Sequence, residues 1–200
     1  KAIKHMYLDH QVKHVTIVYL PHDSFYDGGK YNSDKIILEH TVKMLSEGAK
    51  IIDVGGYSSR PGADVIPINE EIKRVTQAID SILKEFPNTI ISMDTFNAEV
   101  AKAAMLCGAN IINDISAGEL DPQMFPLIVK TKAPYIMMHM KGNPKNMQSH
   151  TSYDNIISEM MDYFISKVNH LKSHGVPDII IDPGFGFAKT TEQNFEILQK

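Results

Sequence analysis

Short apolar runs alternate with longer amphipathic stretches along this chain, and the runs share a layout. A helical stretch ends in glycine, a few β-branched residues follow, and the run closes on a carboxylate or an amide. Gly48-Ala49-Lys50-Ile51-Ile52-Asp53 and Gly108-Ala109-Asn110-Ile111-Ile112-Asn113-Asp114 have this form, as does Gly175 ahead of Asp178-Ile179-Ile180-Ile181-Asp182. Glycine stops a helix because it enters the left-handed region without a Cβ penalty. An unbroken β-branched run suits a strand covered on both faces. The run 89–92 leading to Asp94-Thr95 and the run 134–138 leading to His139 look the same without the glycine, and 15–20 is a weaker first run.

The intervening stretches have helical spacing. Ile36, Ile37, His40, Met44 and Leu45 follow Ser33; Ile72, Val75, Ile79, Ile82 and Leu83 follow Asn69, with Glu70 and Glu71 in the first turn of a helix read as capped. Residues 100–107 give a short helix, and 124–129 a shorter one opened by Pro122. Ile156, Met160, Phe164, Val168 and Leu171 belong to a longer one closed by Gly175, and a last helix begins near Thr191. The methionine stripe from Met160 reads as core packing, since helical spacing alone predicts burial. Strand alternating with helix, with no hairpin signal, predicts right-handed βα units and a parallel sheet. An open doubly wound sheet gathers ligand groups at one switch point, whereas a barrel turns every strand's C-terminal end to one mouth. Here Asp53, Asp94, Asn113, His139 and Asp182 all stand at strand ends. The expected fold is therefore α/β, a TIM (β/α)8 barrel.

Composition narrows the function. At 43% hydrophobic and 22% charged residues the chain is globular, and a formal charge of -4 offers no basic field for nucleic acid. No apolar run approaches the roughly 20 residues of a membrane span, and the first residues lack a signal-peptide layout, so the expected setting is cytoplasmic, without membrane or nucleic-acid partners. Cys107, the single cysteine, sits in an apolar Ala-Ala-Met-Leu-Cys-Gly run and is expected to be a small buried hydrophobe.

Asp94, Asn113 and Asp182 combine carboxylate acceptors with one amide, and none has a Lys or Arg partner nearby in sequence. Such a set suits a flat, donor-rich heterocycle: a carboxylate accepts two parallel N–H bonds and an amide both donates and accepts. The loop Gly55-Gly56-Tyr57-Ser58-Ser59-Arg60-Pro61-Gly62 lacks a P-loop lysine but offers hydroxyls, backbone N–H groups and Arg60 to an anion. Asp182-Pro183-Gly184-Phe185-Gly186-Phe187-Ala188-Lys189 can set an aromatic wall beside a carboxylate, and Phe25 is a candidate for another. The pairs His10/His14 and His170/His174 have i,i+4 spacing but no third ligand, and read as solvated.

Taken in order, these motifs resemble the dihydropteroate synthases, the pterin-binding barrel family. The resemblance is carried by Asp-Ser-Phe-Tyr-Asp-Gly-Gly at 23–29, Ile-Asp-Val-Gly-Gly-Tyr-Ser-Ser-Arg-Pro-Gly at 52–62 and Met-Asp-Thr at 93–95. It continues with Ile-Asn-Asp-Ile-Ser at 112–116, Met-His-Met-Lys-Gly at 138–142 and Ile-Asp-Pro-Gly-Phe-Gly-Phe at 181–187. It implies a transferase of folate biosynthesis, a sulfonamide target, that joins p-aminobenzoate to 6-hydroxymethyl-7,8-dihydropterin diphosphate and releases diphosphate. By motif, Asp94, Asn113 and Asp182 would hold the pterin, and Asp94 and Asp182 would act in catalysis by stabilising positive charge. Ser59, Arg60 and Pro61 would meet diphosphate and aminobenzoate, with Phe25 and Phe187 flanking the latter. Magnesium is the implied cofactor; the family's first strand ends in Asn-Val-Thr-Pro where this chain has Tyr19-Leu20-Pro21-His22. No metal ligand is therefore assigned, Tyr19 and His22 lying near the place of that Asn. A homodimer is the implied assembly. Residues 1–200 read as one such domain, C-terminally incomplete, with about six of the eight βα units. The alternatives are another pterin-binding barrel enzyme of the methyltetrahydrofolate methyltransferase type, or a truncated homologue that binds pterin without turnover.

Overall fold

The structure, a computed structural model, describes residues 15–19, 30–56 and 66–200. Along the chain these form β1 (Val15–Tyr19), α1 (Lys30–Ser46), β2 (Ile51–Gly55), α2 (Ile68–Glu85), β3 (Ile90–Asp94) and α3 (Ala98–Leu106). There follow β4 (Ile111–Asp114), α4 (Met124–Thr131), β5 (Tyr135–Met138), α5 (Ile156–Ser173), β6 (Ile179–Asp182) and α6 (Thr191–Leu198). The six strands are all parallel and pair in sequence order, β1-β2-β3-β4-β5-β6. An order that never reverses is that of a barrel wall, because a doubly wound sheet turns back at its switch point.

Two element ends differ from the sequence reading. Pro67, not Asn69, occupies the cap position of α2, with φ -60° and ψ 140° and no side-chain cap. Proline's fixed φ suits a helix entry, which places Asn69 inside the first turn. Helix α3 starts earlier than expected because Asn97 caps it, Oδ1 accepting from the backbone N–H of Glu99 at 2.9 Å and of Val100 at 3.3 Å. It also ends earlier. Its buried positions are Ala98, Val100, Ala101 and Ala104, so Cys107 falls at the C-cap beyond that face and is exposed rather than buried.

Side chains alternate across each strand. Outward-facing Ile52, Val54, Ile91, Met93, Ile112, Tyr135 and Met137 make one core with Val75, Ile79 and Ile82 of α2, Ile128 of α4 and Met160, Phe164 and Leu171 of α5. Met160 is thus core, as its spacing predicts. Inward, Ile51 and Ile111 pack with the half-buried Ile90 and Ile136 to form an apolar floor. Two residues further along β2 and β3, still on the inner face, stand Asp53 and Ser92, directly paired in register and each 1% exposed.

Asp53 is costly to keep there. Burial pushes its carboxyl up to about 6, although the Ser92 hydroxyl and the Asn113 amide beside it favour the charged form. An acid whose native value lies above its unfolded value, 3.8, stabilises the fold fully below that value. The contribution is lost as pH rises through about 6. The ionised carboxylate at neutral pH thus costs on the order of 3 kcal/mol, roughly 2 pH units of differential protonation. Asp53→Asn is expected to be more stable than the parent chain at pH 8 by up to that amount, and to lose the advantage near pH 4. Urea unfolding at the two pH values measures this; a pH-independent difference would refute it.

Candidate functional site

The site is built at the C-terminal strand ends on the inner face. On β3, Ile90, Ser92 and Asp94 share that face; on β4, Ile111 and Asn113; on β6, Ile180 and Asp182, as the registers Asp94↔Asn113, Asn113↔Ile136, Ile136↔Ile180 and Met138↔Asp182 require. The structure thereby brings Asp94, Asn113 and Asp182 to one mouth. Asp94 leans across β2, its Oδ2 3.4 Å from where a side chain on Gly55 would begin. Asn113 reaches over β3 and donates from Nδ2 to Asp53 Oδ2 at 3.1 Å. Asp182 Oδ1 accepts the Gly184 backbone N–H at 2.8 Å, starting the glycine loop that follows.

That loop is locked from beneath by Lys189. Its ammonium donates to three backbone carbonyls, His139 at 3.0 Å, Gly184 at 3.1 Å and Phe187 at 2.9 Å. These contacts use all its protons. Burial lowers it to about 8, while the charge of Asp182 pulls it back up. Gly184 takes φ +68°, and a Cβ there would stand 2.4 Å from the His139 carbonyl oxygen, so the loop passes too close to β5 for any side chain. Phe187 and Phe96 pack with Ile115, Met138, Met140, Met147 and Ala188 into an apolar rim. The polar row thus lies between a floor of isoleucines and an aromatic, methionine-lined rim.

A second clasp holds the ends of β2 and β3. Thr95, next to Asp94, donates from Oγ1 to Glu71 Oε1 of α2 at 3.2 Å. Burial raises the Glu71 carboxyl, with Thr95 and the nearby Arg74 charge opposing. Gly56 rests on the same helix, where a Cβ would come 2.7 Å from Val75 Cγ1 and 2.9 Å from Glu71 Cγ.

Not every expected strand-end residue joins the mouth. His139 shares the outer face with Tyr135 and Met137, and its ring packs edge-on against Tyr163 at 4.9 Å between centroids, with Tyr153 and Phe164 further out. Burial, and the charges of Lys189 and Lys141, lower it to about 4, so it is neutral at pH 7 and structural. Asp114 also faces outward, accepting from Tyr135 Oη at 2.6 Å and from the Ser116 and Gly118 backbone N–H groups. Phe25, Ser59, Arg60, Pro61 and His22 lie outside the described residues, as does the His10/His14 pair. His170 and His174 contact one another at the end of α5, and no third ligand joins them among the described residues. Among the described residues no three His, Cys, Asp or Glu side chains group so as to hold a metal ion, and no helix is long and apolar enough to cross a membrane. An open hollow of about 430 Å³ lies at the opposite strand ends, between Leu45, Lys50, Glu85 and Phe86. It gathers none of the residues above.

The sequence reading missed Lys189 and stopped short of Asp53. Lys189 had a signal, a lysine directly after a glycine–aromatic loop, but no spacing rule predicts that such a lysine folds inward. Asp53 was legible as a strand-end carboxylate, while its bond to Asn113, 60 residues away in sequence and on the far side of β3, was not.

Residues 15–200 match the family model described as pterin binding enzyme. A dihydropteroate synthase of Synechocystis is 42% identical over 180 residues, covering 89% of this chain and 62% of that protein. Among solved structures, the Yersinia pestis dihydropteroate synthase with a sulfonamide drug complex superposes with a TM-score of 0.83 at 35% identity. That match covers 92% of this chain and 67% of that one. The Xanthomonas albilineans dihydropteroate synthase with 4-aminobenzoic acid gives 0.81 at 33% identity, covering 92% and 66%. The chain spans between a quarter and about two-thirds of the curated relatives it matches, 25% in one and 65% in another. A sequential parallel wall with its acceptors at one mouth, and a family match over nearly all of the chain, lead to one conclusion: the chain belongs to the pterin-binding enzyme family.

Proposed function

We propose that the chain carries the pterin side of a dihydropteroate synthase, which condenses 6-hydroxymethyl-7,8-dihydropterin diphosphate with p-aminobenzoate to 7,8-dihydropteroate and diphosphate. The observation that carries this reading is the row Asp94, Asn113 and Asp182 held between the isoleucine floor and the Ile115–Met138–Phe187 rim. A pterin is flat, apolar on both faces, and rich in N–H groups along one edge. A slot apolar above and below with acceptors at its side fits that shape and that edge. Named relatives that bind a sulfonamide drug and 4-aminobenzoic acid support the same reading.

In this reading the reaction breaks the bond between the pterin methylene carbon and the diphosphate oxygen, and the electron pair leaves with diphosphate. Positive charge develops on the methylene and spreads into the ring. Asp94 and Asp182, accepting ring N–H bonds, stabilise that charge more in the transition state than in the ground state, which is the condition for raising the rate. The aniline nitrogen of p-aminobenzoate then forms the new C–N bond and loses a proton to solvent or to the departing diphosphate. Ser59, Arg60 and Pro61 are assigned to diphosphate and aminobenzoate, and Phe25 and Phe187 to the walls of the second substrate. These roles rest on the resemblance, with Phe187's place in the rim as added support. The residues described offer no set of ligands for magnesium, so no step is routed through it. It remains in the reading as a companion of diphosphate. A homodimer, on the resemblance, working in the cytoplasm, on composition, completes the reading.

Diphosphate release from the two substrates together, alongside calorimetric binding of the pterin, tests the proposal. Turnover that needs both substrates is expected; methyl transfer to a corrinoid protein in its place would overturn it, and pterin binding without turnover would reduce it to a binding role. Asp182→Ala is expected to weaken pterin binding by at least about ten-fold, since N–H donors lose a charged acceptor worth roughly 1.5–3 kcal/mol. Unchanged affinity would remove Asp182 from the site. Gly184→Ala is expected to displace the loop from the His139 carbonyl, lowering pterin affinity and the unfolding temperature together. An unaltered unfolding temperature would contradict the close packing seen there.

A further inference from the structure

Asp53 and Asn113 form a directed pair whose consequence lies at the ligand. An ionised carboxylate only accepts hydrogen bonds, so the atom that Asn113 turns toward Asp53 Oδ2, at 3.1 Å, must be its NH2 nitrogen. The amide is planar, and fixing Nδ2 fixes Oδ1 on the other side. Asn113 Oδ1 takes no hydrogen bond from any described residue, and Asn113 is half-buried on the inner face, in register with Asp94 on one side and Ile136 on the other. Asp53 itself is 1% exposed and its second oxygen has no hydrogen-bond partner among the described residues, nor does the neighbouring Ser92 hydroxyl. A buried carboxylate oxygen that finds no hydrogen bond among the described residues is poor design for stability alone.

We infer that Asp53 is a specificity-determining positioning residue: it holds the Asn113 amide so that the carbonyl, not the NH2, faces the ligand. The inference rests on the proposed pterin site and deepens it. With Asp94 and Asp182 already acceptors, the orientation makes the whole row accept. Such a row selects rings that present N–H groups and rejects rings that present a carbonyl at the same place. Without Asp53, the amide turns either way at similar energy, and the flipped form offers a donor to donors.

Pterin and lumazine separate the two cases, because lumazine carries an oxygen where pterin carries its 2-amino group. The experiment measures the affinity of the full chain for each ring by calorimetry. The parent chain is expected to prefer pterin. Asp53→Leu, similar in shape but with no acceptor, is expected to reduce that preference about ten-fold or more, the effect of one misdirected hydrogen bond. Adding Asn113→Asp to Asp53→Leu is expected to restore the preference, since a carboxylate presents an acceptor whichever way it turns. A merely structural role for Asp53 predicts no such rescue. An undiminished preference in Asp53→Leu, or no recovery in the double variant, would overturn the inference while leaving the pterin site intact. Parent chain that binds neither ring would instead overturn the proposed function. Should Asp53→Leu fail to fold, a crystal structure of the parent chain with pterin decides: Asn113 Oδ1 facing the ring supports the inference, and Nδ2 facing it refutes it.

Discussion

The two-residue period of a parallel strand governs this molecule, because it sorts every polar strand-end residue to one of two fates. Asp53, Ser92, Asp94, Asn113 and Asp182 fall on the inner face, with Asp94, Asn113 and Asp182 at the mouth and Asp53 and Ser92 buried just beneath it. Asp114 and His139, one residue out of phase, fall beneath the helices. There Asp114 is saturated by Tyr135, Ser116 and Gly118, and His139 is walled in by aromatics and kept neutral. The residue types are alike; phase makes one set available for binding and the other part of the core. A shift of one residue in any strand's register would exchange the two sets, and with them the apolar floor.

Alternation alone leaves the strand ends loose, and two buried charged side chains bind them. Glu71 reaches from α2 to Thr95 and lies against Gly56, so one carboxylate fixes the ends of β2 and β3. Lys189 reaches back under the glycine loop to β5, so one ammonium fixes the end of β5 and the loop after β6. In each case the hydrogen bonds of the charged group go to backbone or hydroxyl partners, which gives the clasp direction. The acceptor row is thus positioned by groups that do not themselves belong to it.

Much of this was legible in the sequence, and the remainder has physical causes. The runs ending in Asp94, Asn113 and Asp182 marked these residues as strand ends because each apolar run closes on a polar group, while the face each takes was not legible in the run itself. His139 misled because its run, 134–138, gives no polar alternation from which to read phase, so a strand-end position was mistaken for a mouth position. Cys107 misled because composition suggested burial, while α3 stops at Leu106 and turns it outward. Asp53 was visible as a carboxylate. Its partner was not, since a bond that spans β3 depends on how the wall curves, and curvature has no local sequence signal.

Asp53 also shows why such a site is expensive to maintain. A core of the same volume would be more stable with an apolar residue at that place, since burial leaves the carboxyl raised to about 6 even with the Asn113 amide donating to it. The penalty falls in the pH range where the carboxylate is ionised, which is also the form that can only accept, and therefore the form that directs Asn113. Protonation would relieve the cost and release the amide together. Stability and selectivity at this position are two readings of one proton, so a chain selected for stability alone would not keep Asp53, and one selected to recognise a donor-rich ring has reason to.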